Sequence, residues 1–364
     1  MATVFITNIP APYREQVHEI TSEKLDGNYH VIYCSSIEKN RKWKFEFGNY
    51  TKTFLTCKVI NFRGRTIYLA SDIRRVLNTV NPEVVIIGGF SLPMIIAYVW
   101  AIFKNRKVIS FSDANMESEK NLNVIHKLVR KFFYGKSHAF IGASQKTLKL
   151  FRRYGARKEQ LFQSHLCANN VMYSGVSEAY RDRDFDIILC GQMIKGKMFD
   201  FSLDVISLLQ KTHANIKIKL LGSGPLQSQI IKRLEQMQVS YDYPGFVEQN
   251  LLPQHYATAK IFFFPSTRDA WGVVANEACA AGTPVFTCPV VGAADELVLD
   301  GHNGYILEAN AQTWADNANR LLENAELWEN LSANAIRSVT PYTYYNAALG
   351  IIDASRYVRG IDEN

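Results

Sequence analysis

The chain has 364 residues, 47% of them hydrophobic, which is enough to bury two cores of ordinary size. Its formal net charge of +7 hides a division: residues 1–175 carry a net +14 and residues 176–364 a net −7. An anionic partner is therefore expected for the first half only, and a nucleic acid or a membrane would satisfy it. Six cysteines without a CxxC pair, and eight histidines without HExxH or another close ligand cluster, argue against a disulfide framework and the common zinc sites. Free thiols suit a reducing compartment. The opening MATVFITNIP has no basic region before its apolar run, so it is not read as a secretory signal, and a cytoplasmic location is expected.

In chain order, Thr3–Thr7 is an apolar run that predicts a buried strand. It delivers the loop NIPAPYR, Asn8 to Arg14, to its carboxyl end, where open α/β sheets bind ligands. Two prolines stiffen the loop, while Tyr13 and Arg14 offer a stacking face and a fixed cation. The plainer alternative is a proline at the start of a helix, with Arg14 in solvent. Tyr29–Cys34 is the next strand. After it Trp43, Phe45 and Phe47 alternate with Lys42, Lys44 and Glu46, which predicts a loop or hairpin near an acceptor, or ordinary edge packing. A helix over Ser71–Thr79 precedes the strand Glu83–Ile87. The uncharged stretch Val84–Phe103 is long enough to raise a membrane span, but Gly88, Gly89 and Pro93 divide it into strand, loop and the helix LPMIIAYVWAIF. The strand KVISFSDAN ends at Asp113, either facing the ligand crevice or capping the next helix.

Two helices flank the strand HAFIG between Asn121 and Lys158. Ten lysines and arginines fall from Lys127 to Lys158, with Leu128, Val129, Phe132, Phe133 and Tyr134 among the first of them, which predicts association with an anionic bilayer. Residues 172–184, MYSGVSEAYRDRD, lose the apolar period and are expected to link two domains, 1–175 and 176–340. Asp182, Asp184 and Asp186 spell DxDxD, but they precede the strand Phe185–Cys190 rather than following one, so no metal site is read there. In IKIKLLGSGPLQ a strand again meets a glycine turn and a helix, although Gly222 and Gly224 lack the third glycine of a dinucleotide fingerprint.

The most informative stretch runs from Ile261 to Leu307. Ile261–Pro265 predicts a fully buried strand, Ser266–Ala270 a polar loop, and Gly272 leads into VVANEACAA, a predicted helix. The unpaired N–H groups of a first helical turn favour a phosphate. With about 1.5 Å of rise per residue, Glu277 would lie one turn beyond a diphosphate on Ala270–Val273, where a ribose would offer it two hydroxyls. Asp269, on the other side of the phosphate, would accept hydroxyls of whatever the phosphate carries, and a sugar fits.

These residues carry a resemblance. SxxDxWGxxxNEAxAxGTPV, Ser266–Val285, followed by VxDGxNGYIL, Val298–Leu307, resembles the donor-site signature of retaining GT-B glycosyltransferases of family 4, in which two acids flank seven residues. The first acid is usually Glu in that family, and Asp269 is one methylene shorter. The resemblance implies a donor site built from Ser266, Ala270, Trp271, Gly272, Val273 and Glu277, with Asp269 on the donor sugar. Within GQMIKGK it puts Lys197 at the lysine that binds the diphosphate and Gln192 in place of an Arg. Gly222 lies in the next turn, and Phe246 and Val247 of YPGFVEQ would wall the base. NIPAPYR resembles the family's N-terminal Pro-Tyr-Arg turn, which implies that Asn8, Pro12, Tyr13 and Arg14 lie on the acceptor side. Asp113 stands where relatives keep a His or Asp near the reacting sugar. Helices over 341–358 are expected to cross back onto the first domain.

Strands recurring with helices between them in both halves predict an α/β protein with two Rossmann-like, doubly wound domains facing across a cleft, the GT-B architecture. The expected function is transfer of a sugar from a UDP- or GDP-sugar to an acceptor hydroxyl with retention of configuration and without a metal. The acceptor is expected to be a saccharide or lipid-linked saccharide in bacterial surface glycan synthesis, reached from the inner face of the cytoplasmic membrane. Asp113, Lys197, Asp269 and Glu277 would carry the chemistry. Rival readings are an epimerase or hydrolase of nucleotide sugars on the same fold, which would need no acceptor site, and a non-catalytic nucleotide-sugar- or RNA-binding protein. The latter would leave Lys197, Asp269 and Glu277 at matched positions without a reason.

Overall fold

Short apolar strands without a polar face are covered by helices on both sides, and here they form two parallel sheets. The computed structural model describes residues 2–36, 46–62, 65–120 and 122–361. Contacts divide it into a first unit, running to Leu166 and including the helix Tyr344–Arg359, and a second unit, Cys167–Thr343.

The first unit holds β1 (Thr3–Thr7), β2 (Tyr29–Tyr33), β3 (Thr51–Phe54), β4 (Cys57–Phe62), β5 (Arg65–Ala70), β6 (Val84–Ile87), β7 (Lys107–Ser112), β8 (Ala139–Gly142) and β9 (Leu161–Gln163). Its sheet has the order β3-β2-β1-β6-β7-β8-β9 with every pair parallel. β4 and β5 form a separate antiparallel hairpin, which the sequence reading missed. The stretch that raised a membrane span resolves into β6, the Gly88–Gly89 turn and the twelve-residue helix Leu92–Phe103; no helix among the described residues is long and apolar enough to cross a membrane. Trp43 and Phe45 lie outside the described residues, while Phe47 packs edge-on against Phe54.

The helix Tyr344–Arg359 lies on the helix Pro12–Lys24 and on β9. Its closest approach is at Gly350, where a Cβ would stand 1.8 Å from the carbonyl oxygen of Gln163. Arg359 closes the helix with an ion pair to Glu83 (2.9 Å) and a hydrogen bond to Thr3 (2.7 Å).

The second unit holds β10 (Phe185–Cys190), β11 (Lys217–Leu221), β12 (Ser240–Gly245), β13 (Ala259–Phe264), β14 (Val285–Thr287) and β15 (Gly304–Ile306). The order is β12-β11-β10-β13-β14-β15, again all parallel. Winding therefore reverses between β10 and β13, and the crevice at the carboxyl ends of those two strands is the sheet's topological switch point.

The chain enters this unit at Cys167, earlier than the boundary expected at 175, and residues 172–184 fold onto the unit instead of spanning between units. Arg183 is the reason. Its buried guanidinium donates to the carbonyls of Ala259 (2.7 Å), Ala281 (2.9 Å) and Gly282 (3.2 Å) and to the Thr283 hydroxyl (2.8 Å), and it stacks over Trp328 at 4.6 Å. Asp186 has a structural task as well, accepting from Lys260 and from the backbone N–H of Lys217, both at 3.0 Å. Replacing Arg183 with Leu leaves several buried carbonyls without donors, each costing about 1–3 kcal/mol. Arg183→Leu should thus lower the stability of the second unit by at least about 3 kcal/mol in urea unfolding. A change below about 1 kcal/mol would mean these bonds are not what holds residues 172–184.

Candidate functional site

The site grows from the two strands at the switch point. β10 ends in a half-exposed turn, Gly191–Met198, whose last residues form a single tight helical turn, Lys195–Lys197. β13 ends at Phe264, and Pro265 and the loop Ser266–Gly272 follow. Ser266 is buried and its hydroxyl donates to the carbonyl of Gly196 (3.0 Å), while the Thr267 N–H reaches the same oxygen (3.0 Å). These bonds stitch the two loops together. As a result Lys197, 72 residues away in sequence, forms an ion pair with Asp269 and lies 4.9 Å from the centre of the Phe264 ring. The other carboxylate oxygen of Asp269 accepts from the Trp271 N–H at 3.2 Å.

Gly272 turns the loop into the helix Val273–Ala280 with φ +92°, and a Cβ there would meet the Phe264 ring at 2.4 Å. Only glycine satisfies both constraints. It offers no side-chain cap, so the first turn of the helix presents its N–H dipoles toward the loop. The loop lies equally close to residues 291–293: Gly292 donates to the Asp269 carbonyl (3.0 Å), and a Cβ on Gly292 would overlap the Ala270 carbonyl oxygen at 1.8 Å.

Glu277 is 6% exposed one turn into the helix and accepts from the Tyr256 hydroxyl at 3.0 Å. Burial raises its pKa to about 7 against the lowering effect of hydrogen bonds from Tyr256 and Tyr173. Cys190, at the end of β10, is half-buried near it, and its thiol is pushed up to about 12, first by loss of solvation and then by the Glu277 charge.

The remaining expected donor residues fall around the same crevice. Gln192 is half-buried on the Lys197 turn. Gly222 follows β11 with φ +117°; a side chain there would strike the Gly191 carbonyl oxygen, so the glycine serves backbone packing between adjacent turns. Phe246 is exposed and Val247 half-buried just beyond β12. Trp271 differs from a ligand-facing aromatic: its indole is fully buried, donates to Asn276 (2.7 Å) and packs on Tyr342, leaving its backbone as the part that faces the loop. Tyr256 and Tyr173, which hold Glu277, were missed by sequence reasoning, because nothing in their local pattern distinguishes them from core tyrosines.

The first unit's candidates lie at the carboxyl ends of its own strands. Pro12 occupies the first turn of the helix Pro12–Lys24. Arg14, expected as an accessible acceptor-side cation, is instead 8% exposed; it donates to the hydroxyl (2.8 Å) and carbonyl (2.9 Å) of Ser164 and stacks 5.0 Å from the centre of the Phe111 ring. Tyr13 is half-buried beside it. The Oδ1 atom of Asn8 is buried and has no hydrogen-bond partner among the described residues, while its carbonyl accepts from the Ser35 N–H. Asp113 is exposed just after β7, and the cap of the following helix Met116–Lys120 is Asn115, which accepts from the Ser118 N–H at 3.0 Å.

The family model described as glycosyl transferases group 1 matches residues 176–338. Over 114 residues the chain is 32% identical to a D-inositol 3-phosphate glycosyltransferase of a Nocardioides species, covering 31% of this chain and 25% of that one. Over 190 residues it is 26% identical to the alpha-monoglucosyldiacylglycerol synthase of Acholeplasma laidlawii, covering 52% and 47%. The chain thus spans about a quarter to a half of these relatives. Among solved structures, Anabaena HepE in complex with UDP and glucose superposes with a TM-score of 0.73 at 16% identity, over 98% of this chain and 99% of that one.

Because Glu277 holds its proton more tightly in the fold than its ordinary value of 4.5 allows, its contribution to stability is full below about pH 4.5 and declines as the pH rises through about 7. Relative to the wild type, Glu277→Gln should therefore gain roughly 1–3 kcal/mol of stability between pH 5 and pH 8 in paired urea titrations. A difference that does not vary with pH would mean that the carboxyl is not perturbed.

Proposed function

We infer, for a chain whose residues 176–338 belong to the group 1 glycosyltransferases and whose two Rossmann-like units have the GT-B fold, that it transfers a sugar from a nucleoside diphosphate sugar to an acceptor hydroxyl. The observation that carries this reading is the convergence at one switch point of a lysine, an uncapped helix N-terminus and two carboxylates. Lys197 and the N–H groups of Ala270–Val273 hold the diphosphate and the charge that develops on it as the glycosidic bond breaks. Glu277, oriented by Tyr256, accepts the ribose hydroxyls. Asp269 holds the donor sugar, Phe246 and Val247 flank the base, Gln192, Ser266 and Gly222 shape the turns around the phosphates, and Asp113 with Asn8, Pro12 and Tyr13 serves the sugar or acceptor side. Arg14 acts there through the backbone it anchors.

The donor is a UDP- or GDP-sugar, and the UDP in the HepE complex supports the uridine form. Transfer retains the anomeric configuration and needs no metal, since fixed cationic and dipolar groups supply the positive charge. The acceptor is a saccharide or lipid-linked saccharide of bacterial surface glycan synthesis. A relative that is a monoglucosyldiacylglycerol synthase supports a lipid acceptor. The chain then works in the cytoplasm, peripherally bound to the anionic inner face of the membrane through its basic first unit.

UDP or GDP should raise the melting temperature without added metal, and transfer from the matching nucleotide sugar should persist in EDTA. Loss of transfer on chelation, restored by magnesium or manganese, would overturn the assignment of charge to Lys197. A sharper outcome concerns Asp269, which pairs with Lys197 when no donor is present and so competes with the diphosphate. Asp269→Asn should bind UDP at least as tightly as the wild type while transferring sugar on the order of 100-fold more slowly. Weaker UDP binding in calorimetry would sink the idea that carboxylate and diphosphate compete for the lysine.

A further inference from the structure

The helix Val124–Tyr134 is apolar on both sides. Its inner side, with Phe133 and Tyr134 buried and Val129 half-buried, packs on the helix Leu92–Phe103, where Phe133 stacks on Tyr98 at 4.6 Å. Its outer side holds Val124, Ile125, Leu128 and Phe132, exposed by 71%, 70%, 60% and 56%. At 100° per residue these four fall within one sector of about 100°, a single ridge. Lys127 and Lys131 are exposed along one border of the ridge, Lys136 lies just past the helix end, and the helix contains no acidic residue. Arg130 is the exception among its bases. It turns inward to an ion pair with the buried Glu119, which also accepts from Tyr154 at 2.6 Å, and lies over Phe90. The helix packed beside it ends in Phe103, 85% exposed and followed by the exposed Lys104.

We propose that this ridge is a lipid-docking surface that inserts into the boundary between headgroups and acyl chains of an anionic bilayer. It deepens the membrane part of the function proposed above, and it locates the docking element in four aliphatic and aromatic side chains rather than in the basic stretch as a whole. The described residues leave more than half of each of these four side chains uncovered, and an exposed apolar ridge of this kind marks an interaction site. The ridge is convex, so a flat fluid surface fits it better than a groove-seeking peptide would. Lysines on its border can keep their ammonium groups among anionic headgroups while their stems follow the apolar side chains inward. RNA would meet a Val-Ile-Leu ridge where it needs stacking faces, and so fits poorly.

The full chain should cosediment with vesicles of phosphatidylglycerol and phosphatidylcholine, and less with phosphatidylcholine alone. Leu128→Ser/Phe132→Ser should reduce the bound fraction at least tenfold, and Arg152→Ser/Arg153→Ser should reduce it less than twofold. Both variants should keep wild-type urea unfolding and wild-type UDP or GDP binding, so loss of nucleotide binding by the wild type would strike the donor reading and not this one. In a Phe132→Trp variant the added indole should be quenched by bromine-labelled acyl chains. Wild-type vesicle binding by Leu128→Ser/Phe132→Ser, or no quenching of the indole in Phe132→Trp with vesicles bound, would overturn the proposal. So would retention on RNA, or self-association through this ridge, in the absence of vesicle binding.

Discussion

A doubly wound parallel sheet can reverse its winding at one place, and in the second unit that place lies between β10 and β13. The connections leaving those strands cross to opposite faces, so the loops after them part and leave a crevice. Everything in the candidate site follows from this constraint. The Lys197 turn belongs to one of the two strands and the Asp269 loop to the other, and bonds from Ser266 and Thr267 to a single carbonyl, that of Gly196, close the seam between them. Glycines occupy the positions where backbones come too close for a side chain: Gly272 against Phe264, Gly222 against Gly191, and Gly292 against Ala270.

The crevice also explains how two buried charges are managed in different ways. Arg183 keeps its charge by donating to carbonyls around Ala259 and Ala281, with Glu178 and Glu329 opposing the effect of burial. Those bonds fix the end of the helix Val273–Ala280 against the start of β13. Glu277, on the same helix, has tyrosine hydroxyls for partners and no cation in direct contact among the described residues, so its pKa rises to about 7. One charge builds the scaffold and the other responds to pH.

The first unit uses its cations in a third way. Arg14, expected as an accessible cation, and Arg130, one of the ten bases between Lys127 and Lys158, turn inward to Ser164 and Glu119. On the helix Val124–Tyr134, what reaches solvent beside Arg130 is an apolar ridge bordered by Lys127 and Lys131. A count of basic residues therefore overstates the electrostatic part of any surface this unit offers and hides its hydrophobic part.

The order of residues along the chain was enough to specify the two-domain α/β plan, because uninterrupted apolar strands bounded by glycine or proline leave little choice but parallel sheets with helices between. It was also enough for the loop and helix around Asp269, Gly272 and Glu277, whose spacing along one short segment sets their relation. It did not reveal the β4–β5 hairpin, whose strands are only half-buried and carry no long apolar run. Nor could it reveal that Arg14 is buried, that Tyr256 holds Glu277, that Arg183 binds residues 98 positions away, or that Lys197 meets Asp269. Each of these joins side chains on different elements that become neighbours through strand order alone, and strand order leaves no periodicity in the chain to read.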